Sequence, residues 1–418
     1  MKKSLIALAA LSAVAGAAQA QSSVEVYGLL DMSYSQVESK GSGTTVKLTS
    51  LGNQNSVNGS GLLNGSRLGF RGTEDLGSGL KAGFVYELGL QLTGSEAGGT
   101  AANSQSAATA NQTDKVQLGQ TVGNVRQAYV SLQSNVGEFR AGTQYSFMDS
   151  SAGEIAGSTA AGGVNNATGA QSLFKFGNQP RWSNSITYYS PKFNGFQVKG
   201  GVNLGENLDP AAQNTVTTTT KSGNGTEFAL EYSDAKLRAG YTWMKLKDMN
   251  YPTIASSGSA TALINVIGAA NDGNLGTAYN STQTVAYNNG LNDLTYNVFG
   301  AQYDLGVAKL GVNWTTYEKK SSSAPSGDLK ATHALLTASV PVSANFAVNA
   351  AYADGDIKLG GVKLYNTKGY DLIGVYTLSK RSNVYVGYFE SQYKPTADAT
   401  PTFTIKQSQV AAGFRHSF

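Results

Sequence analysis

The strongest constraint on this chain is a repeated pair of short segments in which apolar and polar residues alternate. From Val24 to Tyr34, apolar or small residues occupy the even positions and mostly polar residues the odd ones, which predicts a β-strand with two unlike faces. The unit from Ser66 to Leu90 contains two further strands, which we expect to meet at the polar turn Glu74 to Gly77. Each such pair is typical of a β-hairpin.

The hairpin pattern recurs along the chain, with short turns at one end and long polar segments at the other. The further predicted pairs are Gln127 to Leu132 with Glu138 to Gln144, Asn184 to Tyr189 with Phe196 to Leu204, Glu227 to Tyr232 with Leu237 to Met244, Tyr296 to Tyr303 with Lys309 to Thr316, His333 to Val340 with Phe346 to Tyr352, and Tyr370 to Leu378 with Val384 to Phe389. A last strand, Gln407 to Phe418, is left to pair with the first and close a circle. The sequence thus predicts an all-β fold, a closed barrel of about sixteen strands. Because side chains cannot fill a barrel of that width, we expect an aqueous channel.

The N-terminus has the three parts of a secretory signal peptide. Lys2 and Lys3 are followed by an apolar stretch from Leu5 to Ala15 and by the cleavage pattern Ala18-Gln19-Ala20. We expect residues 1–20 to be removed and residues 21–418 to form one transmembrane β-barrel domain. No later run of about 18 apolar residues could form a spanning helix, so a closed barrel is the remaining way to cross a membrane.

Composition excludes several classes of function. Charged residues make up 14% of the chain, against roughly 25% in soluble domains, which fits one lipid face and one wet face. There is no cysteine, and therefore no disulfide, thiol catalysis or cysteine-based metal site. The formal net charge of +4 is too small to indicate nucleic-acid binding.

Several stretches resemble the general porins of β-proteobacteria, the family of the neisserial and Burkholderia-type trimers. They are VEVYGLLDMSY, SRLGFRGTEDLGSGLKAGFVYELG, RQAYVSLQSNVGEFRAGTQ, NSITYYSPKFNGF, LSKRSNVYVGY and the terminal AAGFRHSF, in the family's order. The resemblance implies a transmembrane 16-stranded antiparallel β-barrel, a homotrimer in outer-membrane lipid, whose third extracellular loop folds inward. It also implies passive passage of ions and small hydrophilic solutes, without a cofactor. Phe418 would by resemblance be the signal read by the barrel-assembly machinery.

Alternation assigns more basic than acidic side chains to the inside of the barrel. The basic set is Arg67, Arg71, Lys81, Arg140, Arg181, Lys199, Arg238, Lys309 and Arg415, and the acidic set is Glu25, Asp31, Glu87 and Glu231. By resemblance the third loop runs from Tyr145 to Pro180, with Asp149 and Glu154 on it and Lys175 and Arg181 at its return. We expect Arg67, Arg71 and Arg140 to face the loop acids across the constriction, unless they pair with carboxylates instead. A basic excess favours anions, so a mild anion preference is our hypothesis.

Two features leave alternatives open. The family places charges at inward positions of its NSI-x-Y-x-SP motif, where this chain has Thr187 and Tyr189, which weakens the inherited selectivity. The long segment Leu246 to Asn292 also suits a surface adhesin, and a substrate-specific channel is a nearer alternative. An enzyme is not expected, because the only histidines are His333 and His416 and no nucleophile–base arrangement can be proposed.

Overall fold

The structure is a computed structural model that describes most of the chain beyond the expected signal peptide. The described residues are 23–41, 43–51, 61–90, 92, 122–157, 169–174, 181–207, 221–222, 224–249, 292–321, 328–396 and 403–418. Lys175, Pro180 and nearly all of the long segment between Leu246 and Asn292 lie outside them. Within these ranges, no helix is long and apolar enough to cross a membrane.

Nineteen strands and three short helices account for most of the described residues. The strands are β1 Ser23–Gly41, β2 Thr44–Leu51, β3 Arg67–Gly77, β4 Leu80–Leu90, β5 Val122–Ser134, β6 Gly137–Tyr145, β7 Arg181–Tyr189, β8 Phe196–Asn203, β9 Glu206–Asn207, β10 Lys221–Ser222, β11 Gly225–Ser233, β12 Leu237–Met249, β13 Asn292–Asp304, β14 Lys309–Ser321, β15 Leu329–Pro341, β16 Phe346–Leu359, β17 Val362–Thr377, β18 Ser382–Pro395 and β19 Ile405–Ser417. The helices are α1 Phe147–Ser150, α2 Ala152–Gly157 and α3 Ala170–Phe174, all between β6 and β7.

The strands form a closed antiparallel barrel. The main sheet has 17 strands, and β1 closes it by pairing with β19 from Leu29↔Ser417 to Lys40↔Lys406. β2 and β3 both pair with the other edge of β1, so they are two halves of one wall position and the barrel has sixteen positions. The predicted closed sixteen-stranded barrel is confirmed, while β2 was not anticipated.

The two faces of the wall differ as alternation predicts. On β1, Val24 and Val26 are 69% and 54% exposed, whereas Asp31 and Ser35 are fully buried. The exposed apolar residues continue around the barrel, and an apolar outer band of this kind matches lipid. The buried alternate positions therefore face the lumen.

The short turns lie between the paired strands, where the sequence predicts them, with one exception. In the turn between β11 and β12, Asp234 accepts hydrogen bonds from the backbone N–H groups of Leu237 and Lys236 at 2.7 and 2.8 Å, which hold its pKa below the usual range. The β3–β4 turn is not at Glu74 to Gly77, because β3 continues through it and Asp75 pairs with Lys81. The chain reverses instead at Ser78 and Gly79, whose φ values of 53° and 79° lie in the left-handed region.

The largest buried apolar cluster lies inside the barrel, between the three helices and the strands from β12 to β19. Met148, Ala152, Ala170 and Leu173 of the helical segment belong to it, and its wall members include Tyr296. The three helices between β6 and β7 thus cover inward side chains of these strands.

Candidate functional site

Arg71 of β3 and Glu25 of β1 form an ion pair on the open side of the lumen. The Arg71 Nε and Nη2 atoms donate to the two carboxylate oxygens of Glu25 at 2.8 and 2.9 Å. The guanidinium also lies over the Tyr27 ring, 5.0 Å from its centroid. Both charged side chains are about half exposed, at 54% and 56%, so the pair is in contact with the aqueous path.

Glu87 of β4 lies between two arginines. Its Oε1 atom accepts from Arg126 Nε at 2.7 Å and is 3.8 Å from Arg67 Nη1, and Tyr27 donates to its Oε2 atom at 3.0 Å. Arg126 is buried, whereas the Arg67 side chain is 22% exposed. One carboxylate is shared by two guanidinium groups, so a positive charge is left over beside the lumen.

Arg126 was not anticipated from the sequence. Simple alternation places it with Ala128 and Val130, on the lipid side. A register shift between β4 and β5 pairs Glu87 with Gln127 but Leu88 with Val125, leaving Arg126 as an extra residue. Such a bulge re-aims a side chain, and here it brings Arg126 to Glu87. An arginine at a position of lipid-facing parity was the available signal.

Arg140 of β6 is held between aromatic rings. Its guanidinium lies 4.1 Å from the Tyr189 centroid and 5.1 Å from the Tyr129 centroid. Its Nη2 and Nε atoms donate to Glu138 at 2.9 and 3.0 Å. Tyr189, one of the departures from the family motif, is therefore inward as expected and contacts a cation instead of carrying a charge.

We call the inner face of β3 to β7 the basic wall. Its basic side chains are Arg67, Arg71, Lys81, Arg126, Arg140 and Arg181. Lys81 lies at the turn end, in register with Asp75, and Arg181 lies 5.7 Å from the Tyr145 ring centroid. The carboxylates that pair with the wall are Glu25, Glu87 and Glu138. The cations outnumber these partners.

Acidic side chains of the opposite wall hold the segment that contains α1 and α2. The backbone N–H of Phe147 donates to Glu227 Oε2 at 2.7 Å, and the Ser151 hydroxyl donates to Glu231. Lys199 forms an ion pair with Glu231, with 2.6 Å between Nζ and Oε1. Glu227 and Glu231 therefore serve as acceptors for the segment, a role not anticipated from the sequence.

The start of α3 is held in the same way by β17. Asp371 accepts from the backbone N–H groups of Ala170 and Gln171 at 2.8 and 3.3 Å. Two inward glycines allow the close approach: a Cβ on Gly369 would lie 2.5 Å from Ala170 Cα, and one on Gly300 would lie 2.1 Å from the Ala152 carbonyl oxygen. We call the inner face of β11 to β18, beneath these helices, the covered wall.

The expected loop acids lie on this segment, Asp149 in α1 and Glu154 in α2. Asp149 is partly exposed and Glu154 is exposed. The partners that fix Arg71 and Arg140 are wall carboxylates, which favours the paired alternative for those two arginines. A role of Asp149 and Glu154 in the constriction stays a prediction.

Nearly the whole chain matches one known protein family. Residues 7–396 match the Gram-negative porin family. The chain belongs to that family. An outer membrane porin protein 32 of Delftia acidovorans is 31% identical over 392 residues, covering 92% of this chain and 88% of its own. An outer membrane porin protein of Bordetella pertussis is 29% identical over 452 aligned positions, with both chains fully covered.

Solved structures share the fold of this porin. An anion-selective porin from Comamonas acidovorans superposes with a TM-score of 0.62 at 23% identity, covering 95% of this chain and all of that one. OmpT of Vibrio cholerae gives a TM-score of 0.60 at 14% identity, covering 95% of this chain and 98% of its own. The porin is an outer-membrane channel through which ions and small hydrophilic solutes diffuse passively.

The two histidines of the porin lie apart and differ in surroundings. His333 is buried on the inner face of β15. The Nδ1 atom of His416 lies 2.8 Å from the Ser382 hydroxyl, at the other end of the barrel wall. Within the described ranges, no group of three or more histidine, aspartate or glutamate side chains could hold a metal ion.

Proposed function

We propose that this general diffusion porin prefers anions mildly and that the basic wall sets the preference. The observation that carries the proposal is the surplus of guanidinium groups over carboxylates along β3 to β7. Guanidinium groups stay charged at all relevant pH values, and rings of Arg or Lys favour anions. The wall opposite uses its carboxylates to hold the helical segment, so these carboxylates are occupied as hydrogen-bond acceptors.

The relatives support the proposal. The solved Comamonas porin is described as anion-selective. One Vibrio OmpT structure is described as a trimer form, and we propose that the present porin is also a homotrimer in outer-membrane lipid. We assign it transport and no catalytic role.

The test is the zero-current potential of channels reconstituted in a planar bilayer under a salt gradient. We expect an anion-preferring sign, which moves toward cations in the double variant Arg67→Ala with Arg71→Ala. Lys380→Ala, in the exposed turn before β18, removes a positive charge outside the lumen and should leave the potential unchanged. A cation-preferring wild-type channel would contradict the proposal.

The same recordings separate the alternatives. A substrate-specific channel would show saturable block of the current by its solute, whereas a barrel that serves mainly as an adhesin would show no steady ohmic steps. We expect ohmic steps without saturation.

Export and assembly are proposed from the two ends of the chain. Residues 1–20 are proposed to be cleaved, so that mass spectrometry of the membrane form finds Gln21 first. Phe418 is proposed to be the assembly signal. It exchanges two backbone hydrogen bonds of 3.1 Å with Gly28, and its ring covers that glycine. Deleting Phe418 should lower the yield of assembled trimers.

A further inference from the structure

The wall strand formed by β2 and β3 is interrupted in the middle of the barrel. β2 ends at Leu51, opposite Tyr34 of β1, and β3 begins at Arg67, opposite Leu29. Within the described residues, Leu30 to Ser33 of β1 therefore have no ladder partner on that edge. Residues 61–66 lie beside the gap.

The 61–66 segment supplies the backbone hydrogen bonds that the ladder lacks there. The Asp31 N–H donates to the Ser66 hydroxyl oxygen at 3.0 Å, and the Gly61 N–H donates to the Asp31 carbonyl at 2.6 Å. The Ser66 hydroxyl is also 3.1 Å from that carbonyl. Buried backbone groups need such partners, so the interruption is a satisfied part of the structure.

The Asp31 carboxylate holds the segment on the inside of the barrel. Asp31 is fully buried, and its two oxygens accept from the Tyr385 hydroxyl and the Asn64 N–H, each at 2.7 Å. The Tyr385 oxygen accepts in turn from the Leu62 N–H at 3.1 Å. Arg415 donates to the Asn64 side-chain oxygen at 2.7 Å. A buried carboxylate is stable when hydrogen-bonded in this way.

Leu62 and Leu63 cover an apolar patch inside the barrel. Both are completely buried, against Ile373, Phe389 and Ala411. Ile373 and Phe389 face inward, since Leu372 and Tyr388 beside them are exposed on the lipid side. Apolar side chains facing a water-filled lumen are unfavourable unless they are covered. The leucines provide that cover.

The 61–66 segment lies next to Asp371, the residue that holds the start of α3. Ile373 lies two residues after Asp371 on β17, so both side chains face the lumen. Ile373 packs against Leu62 and Leu63. Asp371 accepts the hydrogen bond from Ala170. The 61–66 segment and the helical segment thus line neighbouring stretches of one side of the barrel. The aqueous path is left beside the basic wall.

We propose that the 61–66 segment is a second fixed constriction element, which restricts the size of the solutes that pass and is held against the inner wall by Leu62 and Leu63. Asp31 is its positioning residue and acts through Tyr385 and Asn64. The inference rests on the diffusion channel and is independent of its anion preference.

The direct test replaces both leucines by glycine in the full-length porin. We expect a larger single-channel conductance and, because pore width sets passage, about twofold faster liposome swelling with a trisaccharide relative to a monosaccharide. The matched control carries Leu230→Gly and Leu372→Gly, two exposed lipid-facing positions, and should keep the wild-type ratio. Unchanged conductance and an unchanged swelling ratio in the folded leucine variant would overturn the proposal.

Two conservative variants keep the test decisive if the double glycine variant does not assemble. Tyr385→Phe removes the 2.7 Å hydrogen bond from the tyrosine hydroxyl to the Asp31 carboxylate, and Asp31→Asn weakens it. Both should raise open-channel current noise and the trisaccharide swelling rate. Tyr241→Phe is the control, because this lipid-side tyrosine donates to Asn297 at 2.7 Å. If Tyr385→Phe and Asp31→Asn both behave as wild type, the segment does not restrict the pore. The zero-current potential, measured in parallel, reports on the anion preference separately.

Discussion

On the basic wall, inward arginines lie beside tyrosine rings and wall carboxylates and remain partly exposed, as Arg71 and Arg140 show. On the covered wall, the inward residues are apolar side chains such as Tyr296 and Val298, which are completely buried, and carboxylates that accept backbone hydrogen bonds. Both walls have a lipid face of the same kind. The difference is therefore confined to the lumen.

This difference shows how a wide barrel fixes the course of its pore. An inward apolar residue needs a cover, and a buried carboxylate needs donors. The helical segment between β6 and β7 supplies both, so the composition of each wall indicates whether water or polypeptide lies against it. The arginines then line the side that stays wet.

The largest effect is expected from removing the Asp371 anchor of the covered wall. Asp371→Ala leaves the buried Ala170 N–H without its 2.8 Å acceptor, which costs about 1–3 kcal/mol. We expect a lower midpoint of denaturant unfolding and a larger, noisier single-channel current. Asp371→Asn keeps one acceptor oxygen and is the matched control. Equal behaviour of Asp371→Ala and wild type would show that the helical segment does not depend on this carboxylate.

A somewhat smaller effect is expected from a side chain added at Gly300, where the missing Cβ lets α2 lie close to the covered wall. In Gly300→Ala the new Cβ would lie 2.1 Å from the Ala152 carbonyl, so the segment must move into the lumen, and overpacking of this kind costs roughly 1–3 kcal/mol. Conductance should change together with stability. Gly200→Ala is the control, because a Cβ there meets nothing within 4 Å. A response shared by both glycines would reflect strand propensity and not contact with the segment.

The barrel itself was predictable from the sequence, because alternation acts on every strand. Alternation assigned the faces of Val24, Glu87 and Lys199 correctly, and it led to the correct prediction that the last strand pairs with the first. The predicted position of the β3–β4 turn was wrong by a few residues, because polarity favoured Glu74 and Asp75 while the chain reverses at Ser78 and Gly79, which have left-handed φ values.

The parts of the site that escaped prediction depend on a break in the alternation or on contacts distant in sequence. Arg126 reaches Glu87 through a bulge. Asp371 meets Ala170 across 201 residues, and no local pattern signals that pairing. Leu62 and Leu63 stood as two apolar residues in a polar segment, without a periodicity to assign them to the lumen.

A smaller effect is expected from Glu25→Gln on the open side of the lumen. The change in zero-current potential should have the opposite sign to that caused by removing an arginine. The change frees Arg71 from its ion pair without altering the shape of the lumen. The zero-current potential should move further toward anions, and most clearly at low salt, where screening is weak. Glu74→Gln, at an exposed position near the turn end of β3, removes the same charge elsewhere and should have little effect. An unchanged zero-current potential would mean that the Glu25–Arg71 pair does not face the permeating ions.

The smallest effect is expected from Tyr189→Leu, which removes a ring from the basic wall and leaves its charges in place. Arg140 loses the closer of its two aromatic contacts, at 4.1 Å from the ring centroid, which is worth about 0.5–1 kcal/mol at a partly exposed site. The free energy of unfolding in denaturant should fall by that amount, while Glu138 keeps Arg140 in place and the zero-current potential barely changes. Tyr189→Phe retains the ring and should match wild type in both measurements. If the phenylalanine variant is destabilised as much as the leucine variant, the hydroxyl group holds this part of the wall and the ring does not.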